Sequence, residues 1–221
     1  WSVTGVQTCA LPILTIAKLS TKPLKLKIDF EPNYQVDKSN FKSWIESFQN
    51  LKYLQKVDIY FDSCQMKEKR GFFTCISKDK KLKSPTLLNI LANNISNFSH
   101  ITALNLSLSD NIMGSDSPAI LFEVLGSLLA LSKFKLSLRN CSVLTSYDVL
   151  SLGDSLQKLD NLHKFKIDLT ESAAATDINI LLLAQGISRL KHLRKLRVDL
   201  EGCSGITNTS ALFLLGMADK L

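Results

Sequence analysis

Basic side chains at alternating positions of three short segments are the residues of this sequence best suited to bind a charged partner. In chain order they are Lys133 and Lys135, Lys164 and Lys166, and Lys195 and Arg197. One apolar residue separates the members of each pair, which is the alternation of a half-buried β-strand, so both members point to the same side. Ammonium and guanidinium groups bind carboxylates and phosphates. The segments therefore predict a positively charged surface for an acidic partner.

Six strand-like segments share this alternation, and their outward positions are mostly basic. The first outward position is lysine in five of the six, and the second is basic in four. Tyr60 is the one aromatic residue at these positions, and we include it in the predicted partner-binding surface. Binding of nucleic acid or another polyanion is the alternative, which the shortage of aromatic stacking partners disfavours. A lysine-rich surface that serves only solubility is a further interpretation.

The segments belong to a repeating pattern that must position these side chains. The residues that open four successive strands, Leu104, Phe134, Phe165 and Leu196, lie 30, 31 and 31 positions apart. Before each strand, apolar residues step by three and four, as on one face of a helix. A constant period near thirty predicts a solenoid of strand–helix units, since one unit cannot bury both of its apolar faces alone.

The last complete copy resembles the leucine-rich-repeat family, and within it the ribonuclease-inhibitor-like class. Its apolar positions are Leu193, Leu196, Val198 and Leu200, with a cysteine three places later. The resemblance covers about residues 18–221. It implies an α/β solenoid of about six right-handed repeats, with a parallel sheet on the concave face and helices on the convex face. It also implies a non-enzymatic scaffold that binds another protein through the concave face or the rims.

The resemblance further implies a ladder of asparagine or cysteine side chains that satisfy backbone groups of the loops after the strands. The matching positions are Asn33, Cys64, Asn111, Cys141 and Cys203, with Ser172 as a weaker substitute. Free buried thiols favour a reducing compartment, so we expect a cytoplasmic protein. No run approaches the roughly 20 apolar residues of a membrane span.

Three parts of the chain depart from the pattern. Residues 3–13 resemble a sequencing-library adapter translated in one frame, so we expect residues 1–13 to be an artefact outside the fold, a flexible tail being the alternative. Residues 62–83 form an insertion with seven basic and three acidic residues, either a solvated excursion or a binding arm. The period places the next repeat at Leu221, so we expect the domain to be truncated there.

Catalytic and metal-binding motifs are missing from the sequence. It has no Gly-x-Ser-x-Gly elbow, no phosphate-binding glycine loop and no His-Glu-x-x-His. It has no Cys-x-x-Cys pair either, and its three histidines fall in different repeats. We therefore expect neither enzymatic activity nor a cofactor or metal. The partner is expected to be a protein.

Overall fold

Parallel strands alternate with helices along the chain. The computed structural model describes residues 2–4, 23–29, 42–43, 45–47, 51, 53–63, 87–111, 117–141 and 144–218. Within these ranges one sheet has the strand order β1 to β7, identical to the chain order. Every neighbouring pair of strands is parallel. This is the α/β solenoid of parallel strands and helices that the sequence predicts.

The bounds of the elements follow the predicted period. The strands are β1 (Ser2–Thr4), β2 (Leu24–Asp29), β3 (Leu54–Tyr60), β4 (Ala103–Ser107), β5 (Lys133–Ser137), β6 (Lys164–Asp168) and β7 (Lys195–Asp199). The helices are α1 (Leu87–Ile95), α2 (Ala119–Leu125), α3 (Ser146–Leu156), α4 (Asp177–Ile187) and α5 (Asn208–Ala218). Residues 42–43 and 45–47 are also helical.

The core lies between the sheet and the helices. The second inward residues of β4, β5 and β6 are Leu106, Leu136 and Ile167, which are register neighbours and at most 1% exposed. Leu152 and Leu183 on the inner faces of α3 and α4 belong to the same core. Alternation in the strands and steps of three and four in the helices thus bury one side of each element. No helix in the described ranges is long and apolar enough to span a membrane.

Carboxylates connect the beginnings of successive helices. Thr145 and Asp148 form a capping box at the start of α3, and Asp148 Oδ1 also accepts the backbone N–H of Ala119 in α2 at 3.0 Å. Asp177, in the first turn of α4, accepts hydrogen bonds from both the backbone N–H and the hydroxyl of Thr207 and of Ser210. These bonds, from Ser210 first and then Thr207, lower the pKa of Asp177 to about 2. Asp148 thereby satisfies N–H groups at the starts of α2 and α3, and Asp177 satisfies N–H groups at the start of α5.

The ladder positions donate hydrogen bonds to backbone carbonyls of the loops after the strands. Asn111 Nδ2 reaches the carbonyl of Phe61, in the preceding repeat, at 2.7 Å. Cys141 Sγ reaches Leu108 O at 3.1 Å, and Cys203 Sγ reaches Leu169 O at 3.0 Å. Ser172 fills the intervening place and donates to Cys141 O at 3.1 Å. Asn33 and Cys64 lie outside the described residues.

A left-handed backbone turn precedes five of the ladder positions, namely Cys64, Asn111, Cys141, Ser172 and Cys203. The residues are Ser63, Asp110, Asn140, Glu171 and Gly202, with φ between 49° and 69°. Glycine adopts this conformation without steric cost, and asparagine and aspartate tolerate it better than other residues. The turn aims the N–H groups of four of these residues at the next repeat, as in the bond from Asp110 N to Arg139 O at 2.9 Å. Sequence reasoning missed this position, although aspartate, asparagine and glycine at equivalent places of successive repeats are the residues expected in a left-handed turn.

In the native protein, iodoacetamide is expected to leave Cys141 unmodified at a pH where an ordinary thiol reacts. Burial raises the pKa of Cys141 from an ordinary value of 9.0 to about 12, so the nucleophilic thiolate is nearly absent. Because the folded pKa is the higher one, the stability linked to the neutral thiol is present below the ordinary pKa and is lost as pH rises toward 12.

Mass spectrometry of the peptide that contains Cys141 measures this protection, and the half-buried Cys203 serves as the internal comparison. Protection should disappear in denaturant. A Cys141 that reacts equally fast in the native and the denatured protein would show that the ladder position is open to solvent.

The structure describes only parts of residues 1–13 and of the insertion at residues 62–83. Ser2–Thr4 form the edge strand and pair with Lys27–Asp29 of β2 in parallel. The expectation that residues 1–13 lie outside the fold is therefore wrong for Ser2–Thr4, whereas their origin as an artefact stays a prediction. Of the predicted insertion, residues 62–63 are described, and the rest lies outside the described residues.

Candidate partner-binding surface

The outward side chains of β2 to β7 form three rows across the sheet, one residue per strand. The amino-end row is Lys25, Lys56, Ala103, Lys133, Lys164 and Lys195. The middle row is Lys27, Asp58, Asn105, Lys135, Lys166 and Arg197. The carboxyl-end row is Asp29, Tyr60, Ser107, Ser137, Asp168 and Asp199. Together they make the outer sheet face, whose charge changes from basic to acidic along the strands.

The six predicted basic residues meet on three adjacent strands. Lys133, Lys164 and Lys195 are register neighbours, and so are Lys135, Lys166 and Arg197. Adjacent parallel strands lie about 4.8 Å apart, and successive outward residues of one strand lie about 6.6 Å apart. The six cations therefore form two rows across three strands, about 6.6 Å by 9.6 Å between the outermost backbone positions. Each cation raises the electrostatic cost of the others.

Tyr60 belongs to a different part of the outer sheet face. It lies on β3, separated from β5 by β4, and in the carboxyl-end row. Its hydroxyl accepts a hydrogen bond from Asn105 Nδ2 at 2.6 Å, and Lys27 Nζ lies 5.0 Å from the ring centroid. Burial, and then the charge of Asp58, raises the pKa of the phenol. Tyr60 is thus engaged with neighbours on β2 and β4 rather than with the six basic residues.

Asp199 forms ion pairs with two of the six cations and so offsets part of their charge within the sheet. Its carboxylate lies 2.8 Å from Lys166 Nζ and 2.8 Å from Arg197 Nε. The hydrogen bond from Lys166, and then that from Arg197, holds the pKa of Asp199 below its usual value. The same bond to Asp199 raises the pKa of Arg197. The middle row of β6 and β7 is therefore less available to a partner than the sequence suggests.

Four exposed lysines have no such counterion. Lys133, Lys135, Lys164 and Lys195 form no ion pair and no side-chain hydrogen bond with any other described residue. We call these four residues the unpaired lysine cluster. Three of them stand side by side in the amino-end row. The cluster concentrates like charge that nothing in the described part of the chain compensates.

A shallow depression of about 700 Å³ lies over this cluster. Arg194, which comes just before β7, lines it in addition to the predicted residues. Its backbone N–H donates to His163 O at 2.9 Å, so the hydrogen bonds between the β6 and β7 segments already begin at Arg194. Sequence reasoning missed Arg194, although it is adjacent to the predicted strand.

The boundary of the depression on β3 and β4 is rich in hydrogen-bond acceptors. Asp58 accepts from Lys56 Nζ at 2.7 Å through Oδ2, while its Oδ1 is buried and has no donor among the described residues. Asn105 Oδ1, its register neighbour, is in the same situation. The uncompensated positive charge therefore lies over β5 to β7, and the acceptors on β3 and β4 disfavour an anion there. No cluster of metal-binding side chains occurs among the residues with described positions.

No known protein family and no curated protein matches the sequence. Among solved structures, the chain is similar to the tropomodulin C-terminal domain of Caenorhabditis elegans, with 16% sequence identity and a TM-score of 0.46. The similarity covers 96% of this chain and 93% of that chain. The solenoid of alternating parallel strands and helices is shown by the strand order and register of this chain itself.

Proposed function

We propose that this protein is a non-enzymatic interaction module that binds an acidic segment of another polypeptide on its outer sheet face. The observation that carries the proposal is the unpaired lysine cluster, which is exposed on consecutive strands without internal carboxylates. A module of this kind would act in the cytoplasm, which the free thiols of Cys141 and Cys203 favour.

The proposal follows from electrostatics at short range. Like charges about 4–5 Å apart repel by roughly 1 kcal/mol per pair in water, and salt reduces this value. A carboxylate placed between two lysines replaces repulsion by attraction and leaves the fold unchanged. Binding should therefore be strongest at low salt. Nucleic acid would satisfy the same charges, but Tyr60 is the one described aromatic residue of the three rows, and Asn105 occupies its hydroxyl.

The double variant Lys133→Glu/Lys164→Glu tests the proposal. It should weaken binding of a fluorescein-labelled glutamate-rich peptide at least about tenfold, because two exposed contacts worth up to ~1 kcal/mol each become repulsions. Fluorescence anisotropy at low salt measures the affinity. The secondary structure should be normal, since both side chains point away from the core.

The matched control is Lys158→Glu/Arg189→Glu, which changes the net charge equally at exposed residues just after α3 and α4. It should retain most of the binding. Equal losses in both variants would mean that only net charge matters, and the site proposal would fail. Tighter binding of a single-stranded oligonucleotide of equal charge, lost in the first variant alone, would replace the protein partner by nucleic acid.

A further inference from the structure

We infer that the acidic segment binds as an α-helix lying across β5, β6 and β7, with one line of carboxylates on Lys133, Lys164 and Lys195. The inference rests on the proposed function and specifies the shape of the partner. It follows from the spacing of the amino-end row, from the limits of the positive charge, and from the pairing of the middle row with Asp199.

The spacing of the three lysines favours a helix over an extended chain. Register neighbours on adjacent parallel strands lie about 4.8 Å apart, so the row advances about 9.6 Å from Lys133 to Lys195. Residues on one helix face, at i, i+3 or i+4, and i+7, advance about 10.5 Å over the same two steps. Same-side residues of an extended strand advance about 13 Å. The helix thus matches the row within about 1 Å, and the extended chain misses it by nearly 4 Å.

The limits of the positive charge make the site a narrow strip. On the carboxyl side, Asp168 would repel an acidic ligand, and Asp199 already occupies Lys166 and Arg197. Toward β4, the row continues with the uncharged Ala103, and the buried acceptors Asp58 Oδ1 and Asn105 Oδ1 lie beside it. The uncompensated charge is thus one row wide on β6 and β7 and two rows wide on β5, where Lys135 is also unpaired. A strip three strands long fits a rod with charge along one side. It does not fit a broad, uniformly charged polyanion.

The ion pair between Lys166 and Asp199 allows a comparison of two matched variants. Lys195 is exposed and has no counterion among the described residues, whereas Lys166, one strand away, already contacts Asp199 at 2.8 Å. The affinity for a helix bound on the amino-end row should depend strongly on Lys195 and much less on Lys166. Replacement by glutamine removes one charge in each case and leaves a polar side chain of similar length.

Three synthetic peptides test the inference. The first forms a helix with glutamates at i, i+3, i+7 on one face. The second has the same composition with the glutamates spread around the helix, and the third is the first with a central proline, which breaks the helix. We expect the first to bind at least about fivefold more tightly than the other two, and to gain helical circular dichroism on binding. Lys195→Gln should weaken its binding more than Lys166→Gln.

The outcomes separate this inference from the proposed function. Equal affinity for all three peptides, still lost in Lys133→Glu/Lys164→Glu, would overturn the helical partner and leave the acidic one. Equal effects of Lys195→Gln and Lys166→Gln would overturn the placement on the amino-end row. Binding of none of the peptides would overturn the proposed function itself.

Discussion

Replacing Leu136 with aspartate is expected to unfold the repeats around β5. Leu136 has no exposed surface, and its register neighbours Leu106 and Ile167 are buried as well. An unpaired carboxylate in this apolar layer should cost about 3–5 kcal/mol, a large fraction of the stability of a typical domain. Thermal melting followed by circular dichroism should show a greatly lowered transition temperature or no folded baseline.

The control is Lys135→Asp, which introduces the same side chain at the adjacent position on the outer sheet face. An exposed substitution of this kind changes stability by about 0.5 kcal/mol or less. Different behaviour of the two variants therefore reports which side of β5 faces the core. A Leu136→Asp protein that melts at the wild-type temperature would disprove the register of the repeats.

Gly186→Ala should also destabilise the protein, although alanine is the better helix former. Gly186 of α4 faces Gly153 of α3, and a Cβ atom at position 186 would lie 2.5 Å from the Gly153 Cα atom and 2.6 Å from its carbonyl oxygen. Both partners are backbone atoms and cannot rotate away. Overpacking of this kind typically costs about 1–3 kcal/mol, more than the ~1 kcal/mol that alanine contributes to helix propensity. Chemical denaturation measures the difference.

Gly216→Ala in α5 provides the opposite expectation. A Cβ atom there would meet no atom within 4 Å, so only the helix propensity changes. This variant should be more stable than the wild type by up to ~1 kcal/mol. If both glycine variants gained stability, the close approach of α3 and α4 would not exist in solution.

The rows of the outer sheet face could be predicted because only two regularities are needed. Alternation decides which side chains of a strand point outward, and the period of about 31 residues decides which residues of neighbouring strands are aligned. Lys135, Lys166 and Arg197 are aligned for this reason. Each repeat contacts only its neighbours, so a wrong prediction for one strand would not alter the alignment predicted for the other strands.

The choice of counterions could not be predicted in the same way. Asp199 could reach either of two neighbouring cations, and the structure pairs it with both Lys166 and Arg197. Asp168, at the equivalent position of β6, instead accepts the backbone N–H of Thr170. Such choices depend on side-chain rotamers and local turns, which the repeat period does not specify. They decide which lysines of the surface stay available.

The succession of strands in chain order has a consequence for how the protein folds. Closing the loop from one strand to the next costs roughly 3 kcal/mol in the length-dependent entropy, because aligned residues of most successive strands are about 31 positions apart. The longer connection from Val57 to Leu104 adds only about 0.4 kcal/mol. Every strand pairs with the strand that precedes it in the sequence. During synthesis, each new strand can therefore pair with the previous one as soon as the new strand and the helix that connects the two have emerged from the ribosome.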